Sequence, residues 1–188
     1  MKVQTPDGNH LPPDIGEFDF VIMSAVYEHL LPSERPSVMH QLWRAVRDGG
    51  FLFINQTPNQ LFPVELHTTM LPMINYVPDG LALWMARRFS KRVKPDESWE
   101  QLLRKGIRGA TESEIISHLQ HENASPVVLE PRFNGIRDRI DLYYANTNPN
   151  RLRTIKRIAR IGIKGISTIF GKTVIPDLSL AFQKRSRQ

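Results

Sequence analysis

Two histidines, each close to a glutamate, are the residues in this chain best suited to acid–base chemistry. They occur as Glu28-His29 and as Glu65-x-His67. Because an imidazole titrates near neutral pH, we predict that His29 and His67 act as bases or contact an acceptor. Glu28 and Glu65 would orient these rings or hold a substrate hydroxyl. In the alternative interpretation, His29 packs locally and the carboxylates are only solvated.

A metal site is not expected from the sequence. The chain has no cysteine, which excludes thiolate ligands, and it contains no H-E-x-x-H spacing. The remaining candidate ligands fall on different predicted elements; they are His29, Glu65, His67, His118 and His121.

A strand–helix–strand unit is predicted to position the first histidine. Residues 18–26 form a near-continuous apolar run, as in a parallel strand covered on both faces. Residues 33–47 place apolar side chains at helical spacing, and Gly49-Gly50 is predicted to end that helix before a second strand at residues 51–55. Ligands collect at the carboxyl ends of such strands, here residues 24–29 and 55–60.

The order FDFVIMSAVYEHL, ER, LWRAVRDGG and FLFINQTPN resembles the central part of class I S-adenosylmethionine-dependent methyltransferases. In that family the fourth strand, the following helix and the fifth strand carry an FD-x-V, EH, L-x-R-x-L-x-x-GG pattern. Asp7-Gly8 and Leu11-Pro12 are similar to its DG-x-x-LP segment before the fourth strand. The match covers roughly residues 3–60, with weaker similarity at 109–119 and 175–184.

The resemblance implies S-adenosylmethionine as the cofactor. Asp7 would contact the adenine amine, unless it serves only a turn with Gly8. The backbone after the fourth strand would line the mouth of the cofactor site. The implied cofactor-binding residues are Asp7, Gly8, Leu11, Ser24, Ala25 and Val26.

The sequence departs from this family at its start. Its eleven glycines contain no G-x-G, so the glycine-rich turn that approaches the cofactor is missing. The resemblance therefore implies an amino-terminal truncation. The predicted fold class is α/β: one partial domain over residues 1–188, holding the fourth to seventh strands of a Rossmann-like methyltransferase sheet, flanking helices and a helical lid. The fourth strand would leave an open sheet edge.

The lid is predicted at residues 60–110, over the cofactor mouth, where it would bind the acceptor. Related sequences carry a similar P-x-E-x-H-T…LP stretch, which matches Glu65, His67 and Thr68. A cationic cluster follows and would meet an anionic acceptor or a lipid headgroup, or form a solvated helix end. Its members are Arg87, Arg88, Lys91, Arg92 and Lys94.

The positive charge of the chain is concentrated in its tail. The net charge of +6 arises because residues 151–188 hold ten Lys/Arg against Asp177 alone, whereas residues 1–150 hold 15 against 18 acidic residues. Residues 151–172 predict a basic amphipathic helix. Its apolar face would cover the sheet or contact a membrane surface. Nucleic acid is not expected, because no aromatic stacking surface accompanies the charge.

Together these features predict a methyltransferase fragment that methylates a small-molecule, lipid-linked or glycan acceptor at oxygen. The alternatives are a non-catalytic remnant that binds a partner or a membrane surface, and a nucleotide-sugar or dinucleotide enzyme, which would lack its phosphate-binding loop. No signal peptide is apparent near Met1, so the default location is cytoplasmic, with peripheral membrane contact as a variant.

Overall fold

A computed structural model describes residues 11–12, 15–120, 124–147 and 153–186. Within these ranges the strands are β1 (Phe18–Ser24), β2 (Val46–Pro58), β3 (Ala124–Leu129) and β4 (Asp177–Ser186). The α-helices are α1 (Arg35–Ala45), α2 (Asp79–Phe89), α3 (Trp99–Arg104), α4 (Glu112–Leu119), α5 (Arg139–Asn146) and α6 (Arg153–Phe170). Short 3₁₀ turns lie at Tyr27–His29 and Ile74–Tyr76.

The strands form one mixed sheet in the order β1-β2-β4-β3. β1 and β2 are parallel, with Ser24 opposite Asn55, so their carboxyl ends lie side by side. β4 runs antiparallel to both β2 and β3. The expected strand–helix–strand unit and the α/β class are therefore confirmed, and the sheet is compatible with part of a Rossmann-like methyltransferase fold.

The predicted boundary between α1 and β2 is wrong. The helix ends at Ala45, and β2 already begins at fully buried Val46 rather than after the glycine pair. Gly49 adopts a φ of +75°, and the pairing with β1 shifts between Phe18↔Val46 and Phe20↔Phe51. The two glycines therefore form a bulge within the strand, since burial of Val46 favours an early start to β2.

The main core lies between the sheet, α1 and α4. Its members are almost completely removed from solvent, and their large side chains come from both layers. They include Tyr27, Met39, Trp43, Leu52, Ile54, Ile115, Leu119, Leu180 and Phe182.

Residues 60–109 form an excursion with a separate small core. α2, α3 and the intervening loops bury Ile74, Ala82, Ala86, Val93, Leu102 and Ile107 against each other. Both ends of the excursion meet at the tip of β2, where Asn59 bridges Ala110 and the Ala110 amide donates to the Pro58 carbonyl (2.9 Å). We call residues 60–109 the lid.

Gly109→Ala is expected to destabilise the fold. Gly109 has a φ of +50°, and an added Cβ would lie 2.0 Å from the Pro58 carbonyl oxygen. Left-handed strain alone costs about 1–3 kcal/mol, and the backbone clash adds to it. Gly162→Ala in α6 is the matched control, because its Cβ would meet open space and glycine in a helix costs about 0.5–1 kcal/mol. Urea unfolding should show a loss for the first variant and a gain for the second; equal effects would contradict this account.

The edge strand β1 leaves an apolar sheet face in solvent. Phe20 and Ile22 are 62% and 67% exposed, and the Phe20 ring stacks on Phe51 with centroids 5.7 Å apart. In the described residues β1 pairs only with β2. The open edge expected from the sequence is therefore present.

The apolar face of α6 does not cover the sheet, contrary to one expectation from the sequence. Its basic side faces α5: Arg160 and Lys164 contact the buried carboxylate of Asp141 at 2.5 and 2.6 Å. Burial by itself raises the pKa of Asp141, but these hydrogen bonds outweigh burial and lower it. The apolar side chains are 47–77% exposed; they are Ile155, Ile158, Ile161, Ile166, Ile169 and Phe170. No helix among the described residues is long and apolar enough to span a membrane.

Candidate active site at the carboxyl ends of the strands

The two parallel strands end in unusual backbone conformations. Ala25, directly after β1, has a φ of 52°, and Gln56 near the end of β2 has a φ of 59°. Non-glycine residues rarely adopt left-handed conformations, and they cluster at functional sites. The Ala25 amide also donates to the Asn55 carbonyl (3.0 Å), which ties the two tips together.

A buried polar network anchors the turn that follows β1. The Arg35 guanidinium donates to Glu114 (2.8 Å) and to the Leu30 carbonyl (3.1 Å), and it lies 4.9 Å from the centre of the Tyr27 ring. The Tyr27 hydroxyl donates to Glu114 (3.1 Å) and lies 3.1 Å from Nδ1 of His118. These bonds join the turn to α1 and α4.

The ionisation of this network follows its burial. Burial and the Glu114 carboxylate raise the pKa of Tyr27, so the phenol remains a hydrogen-bond donor. Burial also lowers the pKa of His118, which favours its neutral ring. The two residues next to Tyr27 in sequence are Glu28 and His29, so the network fixes where they lie.

His29 is held by the lid. Its Nδ1 lies 2.8 Å from the Arg104 carbonyl oxygen, which can only accept, so Nδ1 carries a proton, and in the neutral ring Nε2 presents its lone pair. Arg104 in turn donates to the Glu34 carboxylate and to the His29 carbonyl. The imidazole is therefore fixed in both tautomer and direction.

The structure brings three of the four predicted catalytic residues together. His29 Nε2 lies 3.7 Å from Glu28 Oε1, and the His29 and His67 rings are 5.8 Å apart between centroids. Glu28 is fully buried, and neither of its carboxylate oxygens has a hydrogen-bond partner among the described residues. Gly106 permits the approach, because a Cβ there would lie 2.8 Å from the His67 ring and 3.1 Å from Glu28 Cγ.

Glu65 is turned toward the backbone instead of an imidazole. Its carboxylate accepts from the amides of His67 (2.8 Å), Thr68 (2.7 Å) and Thr69 (2.5 Å), and from the Thr69 hydroxyl (2.7 Å). Glu65 therefore shapes the loop that presents His67, and its oxygens are occupied.

A cavity of about 200 Å³ opens beside His67 at the carboxyl end of β2. Polar groups from three parts of the chain face it: Asn59 after β2, Arg108 in the lid, and Tyr143 with Asp177 from the carboxyl-terminal part. Most small-molecule sites place a few polar groups in a concave surface of this kind.

Asp177 has the most perturbed carboxylate at this cavity. Asp177 is an exposed residue that lines the cavity; partial desolvation there raises the pKa of its carboxyl, and the charge of His67 opposes that rise. Burial together with the Asp177 charge raises the pKa of Tyr143. A carboxylate with a raised pKa beside an imidazole is a suitable acceptor for a hydroxyl proton.

The predicted cofactor residues are distributed unevenly. Ser24, Ala25 and Val26 are exposed at the β1 tip, where a ligand can reach their backbone. Leu11 lies against α1, and its amide donates to the Gln41 side chain (2.7 Å). Asp7 and Gly8 lie outside the described residues.

Residues 1–54 match the family model described as a methyltransferase domain. The resemblance to class I methyltransferases is confirmed. The matched part contains β1 with its tip, the turn at Tyr27–His29, α1 and β2 up to Ile54, and it ends before the tip of β2. No curated protein matches the chain. The family generally uses S-adenosylmethionine, and a methyltransferase activity in general is therefore supported.

Sequence reasoning missed Asp177, Tyr143 and Gly106 in this methyltransferase-like site. Asp177 gave a weak signal, as the single acidic residue of a basic tail directly before the last predicted strand. Tyr143 and Gly106 gave none, because only the folded chain brings them to the cavity and to His67.

Proposed function

We propose that this protein catalyses the transfer of a methyl group from S-adenosylmethionine to an oxygen of a small-molecule, lipid-linked or glycan acceptor. The observation that carries this proposal is the cavity at the carboxyl end of β2, which both Asp177 and His67 line, beside the segment that matches a methyltransferase domain. Such strand ends are where α/β sheets bind ligands.

Methyl transfer to a hydroxyl requires that the acceptor oxygen is aligned with the methyl group and that one side chain accepts the hydroxyl proton. The acceptor oxygen attacks the sulfonium methyl in line, an O–C bond forms, and the C–S bond breaks with its electron pair left on sulfur as a thioether. The hydroxyl proton passes to the Asp177 carboxylate. Partial desolvation at the cavity raises the pKa of the Asp177 carboxyl and suits it to this role, although the residue is exposed.

The cofactor would lie over the tip of β1, with Ser24, Ala25 and Val26 contacting it through their backbone. The exposed edge of β1 and the apolar face at Phe20 are suited to further strands and helices. We propose that a glycine-rich strand and turn on this edge complete the cofactor site, as the family resemblance implies.

Calorimetric titration with S-adenosylhomocysteine tests this proposal. We would titrate the chain alone and the chain extended by any residues that its gene encodes in frame ahead of Met1. Binding by either form, weakened by Ala25→Pro at the β1 tip, supports the enzyme. Absence of binding by both would favour the non-catalytic remnant. A panel of hydroxylated acceptors, read out as S-adenosylhomocysteine release, would then identify the acceptor class.

A second candidate role, contact with an anionic membrane surface, is favoured by α6. This helix turns a row of isoleucines to solvent, and the tail that carries it is strongly cationic. Apolar side chains entering the acyl boundary and attraction to acidic lipids would act together. A membrane location would also bring a lipid-linked acceptor to the cavity.

Ile158→Glu is expected to lower vesicle binding about tenfold or more, because it places a charge in the face that would enter the lipid. Co-sedimentation with phosphatidylcholine vesicles, with and without phosphatidylglycerol, measures the effect. Ser167→Glu is the charge-matched control, since nine residues along a helix place it on the opposite side. If both variants and the parent chain bind equally, or none binds, α6 does not dock on membranes.

A further inference from the structure

The cluster of Glu28, His29 and His67 carries an inference that the sequence did not suggest. One ligand atom from each of these residues lies within 4.8 Å of the other two. Two come from the turn after β1 and one from the lid, which is why spacing along the chain did not reveal the cluster. We propose that these three side chains bind a divalent transition-metal ion of the Zn²⁺ class.

The buried carboxylate is the first reason for this proposal. Glu28 is fully buried, and both of its oxygens lack a hydrogen-bond partner among the described residues. A buried carboxylate without hydrogen-bond partners is energetically costly, so native proteins satisfy such groups or use them to coordinate metals. Here the groups next to Glu28 are two imidazoles, which suits coordination.

The state of the His29 ring is the second reason. Its Nδ1 donates to the Arg104 carbonyl oxygen (2.8 Å). Nε2 is then the nitrogen available to a metal ion, and it lies 3.7 Å from Glu28 Oε1. Histidines that ligate metals generally donate their other ring N–H to a carbonyl or carboxylate in this way. The supporting hydrogen bond is thus already formed.

The distances suit a small ion after modest contraction. Tetrahedral ligands at bond lengths of about 2.0–2.2 Å lie about 3.4 Å from each other. Glu28 and His29 are close to that separation, and His67 is exposed, so it is free to move inward. Gly106 permits the present close approach of the His67 ring, because a Cβ there would lie 2.8 Å from it.

The donor set selects the kind of ion. Two imidazole nitrogens and one carboxylate oxygen favour Zn²⁺ and neighbouring transition metals, whereas Mg²⁺ and Ca²⁺ prefer oxygen ligands throughout. Three protein ligands leave a coordination position open. His67 also lines the cavity, so an ion held here would lie at its edge and offer that position to an acceptor oxygen. This role rests on the proposed function, whereas metal binding does not.

Titration of the full chain with Zn²⁺, without cofactor or acceptor, tests the proposal. We expect one tight site by calorimetry, weakened more than about 100-fold by Glu28→Gln and by His67→Ala, since loss of a mere outer-sphere partner already costs 10–100-fold. His40→Ala is the matched control, an imidazole on α1 outside the cluster. Mg²⁺ at the same concentration should give no comparable binding.

Two further readouts separate loss of a ligand from loss of the fold. Glu28→Gln should melt at the same or a higher temperature than the parent chain without metal, because it replaces a buried carboxyl that has no hydrogen-bond partner among the described residues, but Zn²⁺ should no longer raise that temperature. Nitrogen NMR of the histidine rings should show Zn²⁺ on Nε2 of His29. No binding, or equal binding by all variants as expected of adventitious surface histidines, would overturn the site. Neither result would bear on S-adenosylhomocysteine binding.

Discussion

Asp177→Asn is expected to lower the rate of methyl transfer by about 10²–10⁴-fold, the usual contribution of a positioned acid–base group. Asn keeps the size and hydrogen-bonding reach of the side chain but cannot accept the hydroxyl proton. S-adenosylhomocysteine release, measured with the acceptor found in the panel described above, reports the rate. Asp96→Asn, at an exposed position in the lid, removes the same charge away from the cavity and should retain activity.

The same substitution should stabilise the fold slightly, because Asp177 is exposed and solvent screens its charge, and the gain should depend on pH. Partial desolvation raises the pKa of Asp177 above its ordinary value of 3.8. The folded state therefore binds this proton more tightly than the unfolded state, and stability falls as pH rises from 3.8 through the raised pKa. Asn cannot ionise, so it removes the cost of holding a charged carboxylate in the folded state. The gain in unfolding free energy should therefore be absent below pH 3.8 and complete above the raised pKa of Asp177 in the folded protein. Loss of both activity and stability would assign Asp177 a structural role.

Arg35→Ala is expected to cost about 3–5 kcal/mol of unfolding free energy, as is typical when one partner of a buried ion pair is removed. Arg35 is 4% exposed and joins Glu114, the Leu30 carbonyl and the Tyr27 ring. Without the Arg35 guanidinium, the Glu114 carboxylate and the Leu30 carbonyl lose a charged hydrogen-bond donor in a largely buried part of the protein. Urea denaturation measures the loss.

Arg47→Ala is the control for this experiment. Arg47 contacts Asp19 on the surface, where both side chains are more than half exposed, and such pairs contribute about 0.2–1 kcal/mol. A similar small loss in both variants would mean that the Arg35 network contributes little. The contacts indicate that the network positions the turn at Tyr27–His29. Arg35→Ala should therefore also weaken Zn²⁺ binding, measured under conditions in which this variant is folded.

The sequence predicted the part of the fold that is encoded locally. The apolar run of β1, the helical spacing of α1 and the run in β2 lie within one short stretch, and each pattern is independent of the rest of the chain. The cap of α4 is equally local, since the Thr111 hydroxyl accepts from the Glu114 amide three residues on. The error at Gly49-Gly50 arose because burial of Val46 outweighed the usual role of glycine at a helix end.

Non-local contacts explain what the sequence did not predict. Asp177 and His67 are more than one hundred residues apart in sequence yet line the same cavity, and Gly106 lies against a His67 ring that is 39 positions away in sequence. The amphipathic pattern of α6 was clear, but its orientation was not. An amphipathic pattern does not specify whether the basic side of the helix pairs with Asp141 or its apolar side packs on the sheet.

The closure of the lid at Asn59 and Ala110 has an evolutionary consequence. Since the excursion leaves and re-enters the sheet at one point and carries its own core, insertions, deletions or wholesale exchange within it need not disturb strand register. Under the proposed function, selection could diversify the acceptor preference by replacing the lid, while the strand tips stay fixed. Chimeras cut at these two residues are the natural units for recombining specificity.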